Sequence, residues 1–286
     1  MFLQAIGLFS LVRGVNVSVL MLAQLLTSVF IFSSLDIVPT LLDLNLWLIA
    51  LATGFSVSGG YIFNAFFDEE KDLINRPQKT LLETNISLRS KMIGYIFLNG
   101  TAVLVASSVS QRSAVFFCAY IGCMAFYSAF LKRYLFIGNI GSALLTVLPF
   151  FAITVYFKNF SVEMFTLASY LLLLISVKEL VKDLCNIKGD LSNNYKTIPT
   201  VYGENSAKRL ISLLVVFCFG VFFLLYFFFS LQSMVYYFLA SLGFLLFFTI
   251  LVWVSSKPKQ LILLLFGIKA LIVLGIICLP LLKIPI

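Results

Sequence analysis

The sequence predicts an all-α integral membrane protein with about nine transmembrane helices. Three observations carry this prediction. The 286 residues are 61% hydrophobic and only 11% charged, and mean hydropathy is +1.07, a composition of multi-span membrane proteins and not of soluble domains. Apolar runs recur at the length of about 20 residues that a helix needs to cross a hydrocarbon core. The alternating polar faces that a soluble core of this length requires are few.

The runs fall at 14–35, 46–67, 91–110, 113–131, 137–157, 161–181, 209–230, 234–255 and 260–282. The first apolar stretch leads through Arg13 into a full-length span, so it reads as an ordinary first helix and not as a cleaved signal. The third run is the least hydrophobic, and the fourth and fifth share a very short connection. Two connections are long and polar, 68–90 and 182–208. The Phe-rich seventh and eighth runs, with Phe217, Phe219, Phe222, Phe223, Phe227, Phe228 and Phe229, read as lipid-facing or packing surface. The whole chain, 1–286, is expected to form a single transmembrane domain.

Charge sets the expected sidedness. Of the 20 Lys and Arg, 16 flank the side that carries Arg13, and only Arg112, Lys158, Lys269 and Lys283 do not. Cytoplasmic loops are enriched in cations, so this side, with the N-terminus and both long connections, is expected to be cytoplasmic. Cations that flank spans in this way are a topology signal, and no nucleic-acid partner is expected despite a net charge of +8. There is no His, and the Cys at 118, 123, 185, 218 and 278 are scattered. That excludes a Cys/His zinc site, a His-ligated haem and a His general base.

Seven of the 12 Asp and Glu lie in two patches, each at the end of an apolar run. Carboxylates at a bilayer edge cost free energy and are functional candidates. In the first patch Asn64, Asp68 and Asp72 stand at i, i+4 and i+8, which aligns three oxygen ligands on one helical stripe. In the second, Asp183, Asn186 and Asp190 stand at i, i+3 and i+7, with Glu179 one turn earlier. Hard oxygen ligands suit Mg²⁺, which binds through one or two carboxylates plus substrate phosphate oxygens. Arg13, Arg76, Lys132 and Arg133 are near enough in pattern to neutralise a diphosphate. With both patches on one side, the two are expected to face a common cavity. Glu69, Glu70 and Lys71 flank the first stripe and read as a solvated helix end. A buried Asn64 also admits a helix-joining role, and Arg13 a plain topology anchor.

The stripe Asn64-xxx-Asp68-xxx-Asp72, followed by Ile74-Asn75-Arg76-Pro77, resembles the first signature of UbiA-type intramembrane prenyltransferases. The run Lys182-Asp183-Leu-Cys-Asn186-Ile-Lys-Gly189-Asp190 resembles the second, and it continues through Lys196-Thr197-Ile198-Pro199 to Tyr202-Gly203. Leu11-Val12-Arg13 with Asn16, and Tyr127-Ser128 through Lys132-Arg133 to Gly138-Asn139, agree as well. The resemblance implies a helical bundle around a central cavity capped on the cytoplasmic side. It implies transfer of a polyprenyl group from a prenyl diphosphate to a lipophilic acceptor, with membrane lipid as a further partner. Asn64, Asp68 and Asp72 would hold one Mg²⁺, and Asp183 and Asp190 the other. Arg13, Asn64, Arg76, Lys132, Arg133 and Asn186 would bind substrate, and Asp68, Asp72, Asp183 and Asp190 would be the catalytic carboxylates.

Asn186 stands where the family usually has Asp, which keeps an oxygen and removes a charge; Gln78-Lys79-Thr80 replaces a common Arg-Pro. The motif set is most similar to the branch that includes digeranylgeranylglycerol-phosphate synthases, so the favoured acceptor is a glycerol-phosphate-type lipid. An aromatic quinone or tetrapyrrole precursor is the alternative. In another class, a cation transporter predicts acids at mid-span depth. Here the acids sit at span ends, and the last three spans carry none.

Overall fold

The computed structural model describes residues 2–84, 86–255 and 257–285. The expected single domain over 1–286 thus includes Met1, Asn85, Ser256 and Ile286, which lie outside the described residues. Among the described residues nine helices are long and apolar enough to cross a membrane. They match the nine expected runs one for one, and the protein is an integral, multi-pass, all-helical membrane protein.

The chain groups into two compact units, Met1–Lys132 with Leu148–Lys158, and Arg133–Val147 with Asn159–Ile286. In the first unit, α1 (Phe2–Leu11) and α2 (Gly14–Thr27) precede a π-helical turn, Ser28–Phe32. There follow α3 (Ile37–Leu41), α4 (Leu44–Asn75), α5 (Pro77–Thr84), α6 (Leu88–Val109) and α7 (Gln111–Ala129). The helix α8 (Ile137–Phe157) contributes its last part, from Leu148, to this unit. The central helix is α4, which packs on α2, α6 and α7.

The reasons for these elements are local. The Asp43 side chain caps α4 by accepting the Asn45 N–H at 3.0 Å. Ser87 and Ser110 cap α6 and α7 in the same way, each accepting at 3.1 Å from the third residue on. Small residues let α4 approach its neighbours closely: Gly54 faces Met21, Gly59 faces Asn99 and Gly60 faces Met124. In the core of this unit the fully buried Gln24 donates to Thr53 Oγ1 at 3.0 Å and to the Pro149 carbonyl at 2.7 Å.

The second unit is built on α9 (Val162–Ser192), which packs against α11 (Glu204–Phe228) and α13 (Pro258–Ile277). The short α10 (Ile198–Tyr202) lies on α9 and α11, and α12 (Met234–Val254) packs on α11 and α13. Tyr170 of α9 reaches Ser241 of α12 at 2.6 Å. Lys208 donates to the Ser255 carbonyl at 2.9 Å, which satisfies the C-terminal end of α12 with a cation. The Phe-rich face is mixed: Phe217, Phe223, Phe227 and Phe228 are exposed, and Phe222 is buried in the core.

Two expectations need correction. The helices expected to end with the apolar runs at 67 and 181 continue beyond them. Helix α4 runs on to Asn75 and α9 to Ser192, so both acidic patches ride on continuous helices. Nothing in the first patch interrupts the helical ladder until Pro77, which lacks an N–H and opens α5 instead. The apolar stretch before Arg13 is a helix of its own and not the lead-in to the first span. Arg13 adopts a left-handed conformation, φ 51°, and breaks the chain between α1 and α2.

Candidate active site

The 3.6-residue period of α4 aligns Asn64, Asp68 and Asp72 along one stripe. Asp68 is buried, and Asn64 and Asp72 are half-buried. Lys132, in the short 3₁₀ turn Leu131–Arg133 after α7, reaches this stripe. Its ammonium donates to Asn64 Oδ1 at 2.5 Å and also to the Asp68 carboxylate. Arg13 and Lys71 lie within electrostatic reach of the same carboxylate.

Arg13 is held by an aromatic face. Its guanidinium carbon lies 4.8 Å from the centroid of Tyr61, one turn before Asn64 on α4. On α5, Glu83 is buried and accepts from Ser10 of α1 at 2.9 Å. The same carboxylate pairs with Lys79 at 3.3 Å. Burial pushes the Lys79 ammonium below the usual lysine range, and Arg13 and Arg76 push the same way against Glu83. Three cations thus share one neighbourhood at this end of α4. Glu69 is occupied elsewhere, accepting from the buried Lys91 at 3.1 Å.

In the second unit, Asp183, Asn186 and Asp190 lie on α9 and all three are buried. Glu179, one turn earlier, is buried between Lys178, at 2.9 Å, and Lys182. These two lysines neutralise its charge. Arg133 belongs to this unit. Its guanidinium lies 5.7 Å over the Tyr195 ring, and its carbonyl accepts from the Lys196 N–H at 3.1 Å. That anchors Arg133 to the segment directly after the second motif.

The donor set fits a hard divalent cation. Asn64 Oδ1 and Asp68 Oδ2 converge on a single positive centre, the Lys132 nitrogen. Among the described residues no three His, Cys, Asp or Glu side chains form a complete metal-holding group. An ion here would be held by one or two carboxylates and an amide oxygen, with water or phosphate completing its shell. That is the ordinary habit of Mg²⁺.

The sequence reading missed Tyr61, Lys79, Glu83 and Ser10 as neighbours of these residues. Only the Lys79–Glu83 spacing of i, i+4 carried any signal.

The UbiA prenyltransferase family model matches residues 9–278. This chain belongs to the UbiA prenyltransferase family. A digeranylgeranylglyceryl phosphate synthase of Thermococcus sibiricus is 34% identical over 167 residues, 57% of this chain and 58% of that protein. One of Methanobrevibacter smithii is 28% identical over 221 residues, 73% of this chain and 74% of that protein. The matched region thus spans between 58% and 74% of these two curated relatives. Among solved structures, a UbiA homolog from Archaeoglobus fulgidus bound to DMAPP and Mg²⁺ superposes with a TM-score of 0.72. It is 14% identical and covers 95% of this chain and 98% of its own. A digeranylgeranylglyceryl phosphate synthase structure gives 0.70 at 20% identity, covering 97% of this chain and 99% of its own. At such identities the structures speak to the fold, which the UbiA chain here shares over nearly its full length.

Proposed function

We propose that this UbiA-family chain is one catalytic domain that transfers a prenyl group from a prenyl diphosphate to a hydroxyl of a glycerol-phosphate-type lipid, with Mg²⁺. The acceptor assignment is supported by the named activity of the relatives and by the motif set around Arg76 and Asp183. The observation that carries the metal and diphosphate part is the convergence of Asn64, Asp68 and Lys132 on one point, with Arg13 over Tyr61 nearby. Carboxylate and cation stand side by side there, as a metal–diphosphate complex requires.

In this reading Asn64, Asp68 and Asp72 hold one ion. Asp183 and Asp190 hold the other, with Asn186 offering an amide oxygen. Bound Mg²⁺ would supply charge stabilisation for the departing diphosphate. Arg13, Arg76, Lys132 and Arg133 bind the diphosphate oxygens and stabilise the charge that grows as the allylic C–O bond breaks. The acceptor oxygen then forms the new C–O bond, and its proton leaves to diphosphate, a carboxylate or water. No His is present to take it. The bias of cations supports a cytoplasmic position for both acidic patches.

The test is a competition assay. Purified protein receives Mg²⁺, labelled geranylgeranyl diphosphate, and equal amounts of a glycerol-phosphate prenyl ether and an aromatic acid. Label in the glycerol lipid is the expected result. Label only in the aromatic product would replace the acceptor assignment, and no prenylation with any diphosphate would overturn the reading.

A further inference from the structure

We infer that the Lys132 ammonium is a built-in stand-in for a divalent cation at Asn64 and Asp68, so that these oxygens take up a metal ion together with a diphosphate and resist taking it up alone. The inference rests on the proposal that Asn64 and Asp68 are metal ligands.

The geometry supplies the first half of the argument. The ammonium touches the same two oxygens that would ligate the ion, Asn64 Oδ1 and an Asp68 oxygen. Magnesium–oxygen bonds are about 2.0–2.1 Å long, so the ion and the ammonium cannot both sit on this pair. The lysine side chain is 12% exposed and the Asp68 side chain 8%. Water therefore screens the repulsion between two such cations only weakly.

The surrounding charge supplies the second half. Arg13 and Lys71 already act on Asp68. A divalent cation arriving alone would join three positive groups around one carboxylate. A diphosphate reverses the balance, because it offers Lys132 a new anionic partner and neutralises the incoming ion. Lys132 is suited to such an exchange. It stands on a short 3₁₀ turn outside the regular helices, and a lysine carries its charge on a flexible four-carbon stem. By linkage, whatever the diphosphate does for the metal, the metal does equally for the diphosphate.

The experiment is a Mn²⁺ titration of the full chain in nanodiscs, read by electron paramagnetic resonance of free Mn²⁺, with and without inorganic pyrophosphate. Binding by pyrophosphate in buffer is subtracted. Without pyrophosphate, K132Q is expected to bind Mn²⁺ about tenfold more tightly than wild type, within the ordinary range of site–site coupling. K132R keeps the positive charge and should stay weak like wild type. D68N should remove the site gained in K132Q. Wild type should show mutual enhancement of Mn²⁺ and pyrophosphate by a similar factor, and K132Q should lose it. This wild-type arm stands even if the glutamine variant fails to fold. If wild type and K132Q bind Mn²⁺ equally, with Asp68 still needed, the stand-in role is overturned and the metal reading survives. If D68N changes Mn²⁺ binding in no background, both fall.

Discussion

Asp68 is the buried carboxylate of the first acidic stripe and shares the Lys132 ammonium with Asn64, and it decides the residue-scale predictions. Asp68→Ala, Asp72→Ala and Asp183→Ala should each lower turnover at least about a hundredfold, the scale of losing one preorganised charge-stabilising contact. Each protein should remain folded, as checked by gel filtration in detergent beside the rate. Near-native turnover in Asp183→Ala would leave the second patch without a catalytic role. Glu69→Ala behaves differently. It strips the buried Lys91 of its 3.1 Å partner, so it should cost about 1–2 kcal/mol of stability while turnover stays close to wild type. Melting curves and rates measured on the same preparation separate the two effects. Asn186→Asp restores a carboxylate on a buried stretch of α9 and should lower the Mg²⁺ concentration at half-maximal rate. An unchanged Mg²⁺ dependence would place Asn186 outside the metal shell. At this scale the spacing of Asn64, Asp68 and Asp72 was legible, because helical period alone aligns them. The partnership of Lys132 with Asp68 was not, since 64 residues separate them and no local pattern encodes a tertiary contact.

At the scale of elements, the helices owe their close approach to a few residues. A Cβ at Gly59 would lie 2.4 Å from Asn99 Nδ2. That amide is fixed by its bond to the Tyr95 carbonyl at 2.9 Å. Gly59→Ala should therefore loosen α4 from α6 and cost about 1–3 kcal/mol, the usual cost of overpacking. A Cβ at Gly7 would meet the Leu82 carbonyl at 2.9 Å, which is backbone and cannot rotate aside, so α1 should lose its seat on α5. Gly100 has nothing within 4 Å of such a Cβ, and Gly100→Ala should stay within about 0.5 kcal/mol of wild type. Thermal denaturation of the three variants in one detergent checks the order. The nine spans were legible as apolar length, but their ends were not. Hydropathy falls at the acidic patches although the backbone ladder continues through them, so the spacing of the acidic residues and not hydropathy pointed to helix there, and the end points Asn75 and Ser192 were not marked. The break at Arg13 was hidden too, because a left-handed residue other than Gly leaves no compositional mark.

For the whole molecule, the cation bias predicts one sidedness for both acidic patches. Single cysteines at Thr84 and Asn193, both exposed or half-buried, in a background without the native cysteines, should label from the cytoplasmic side of oriented vesicles. Opposite labelling would remove the basis for a common reaction. The length of two helices carries a further consequence. A helix rises about 1.5 Å per residue, so the 32 residues of α4 and the 31 of α9 each extend well past a hydrocarbon core of about 30 Å. In α4 the surplus turns carry Asp68 and Asp72, and in α9 they carry Asp183 and Asp190. If these turns hold the proposed site, bilayer thickness is expected to affect the proposed transfer. Lipids with longer tails would draw those turns toward oil, where a carboxylate is costly and a diphosphate more so. Turnover in vesicles should rise to an optimum tail length and fall beyond it.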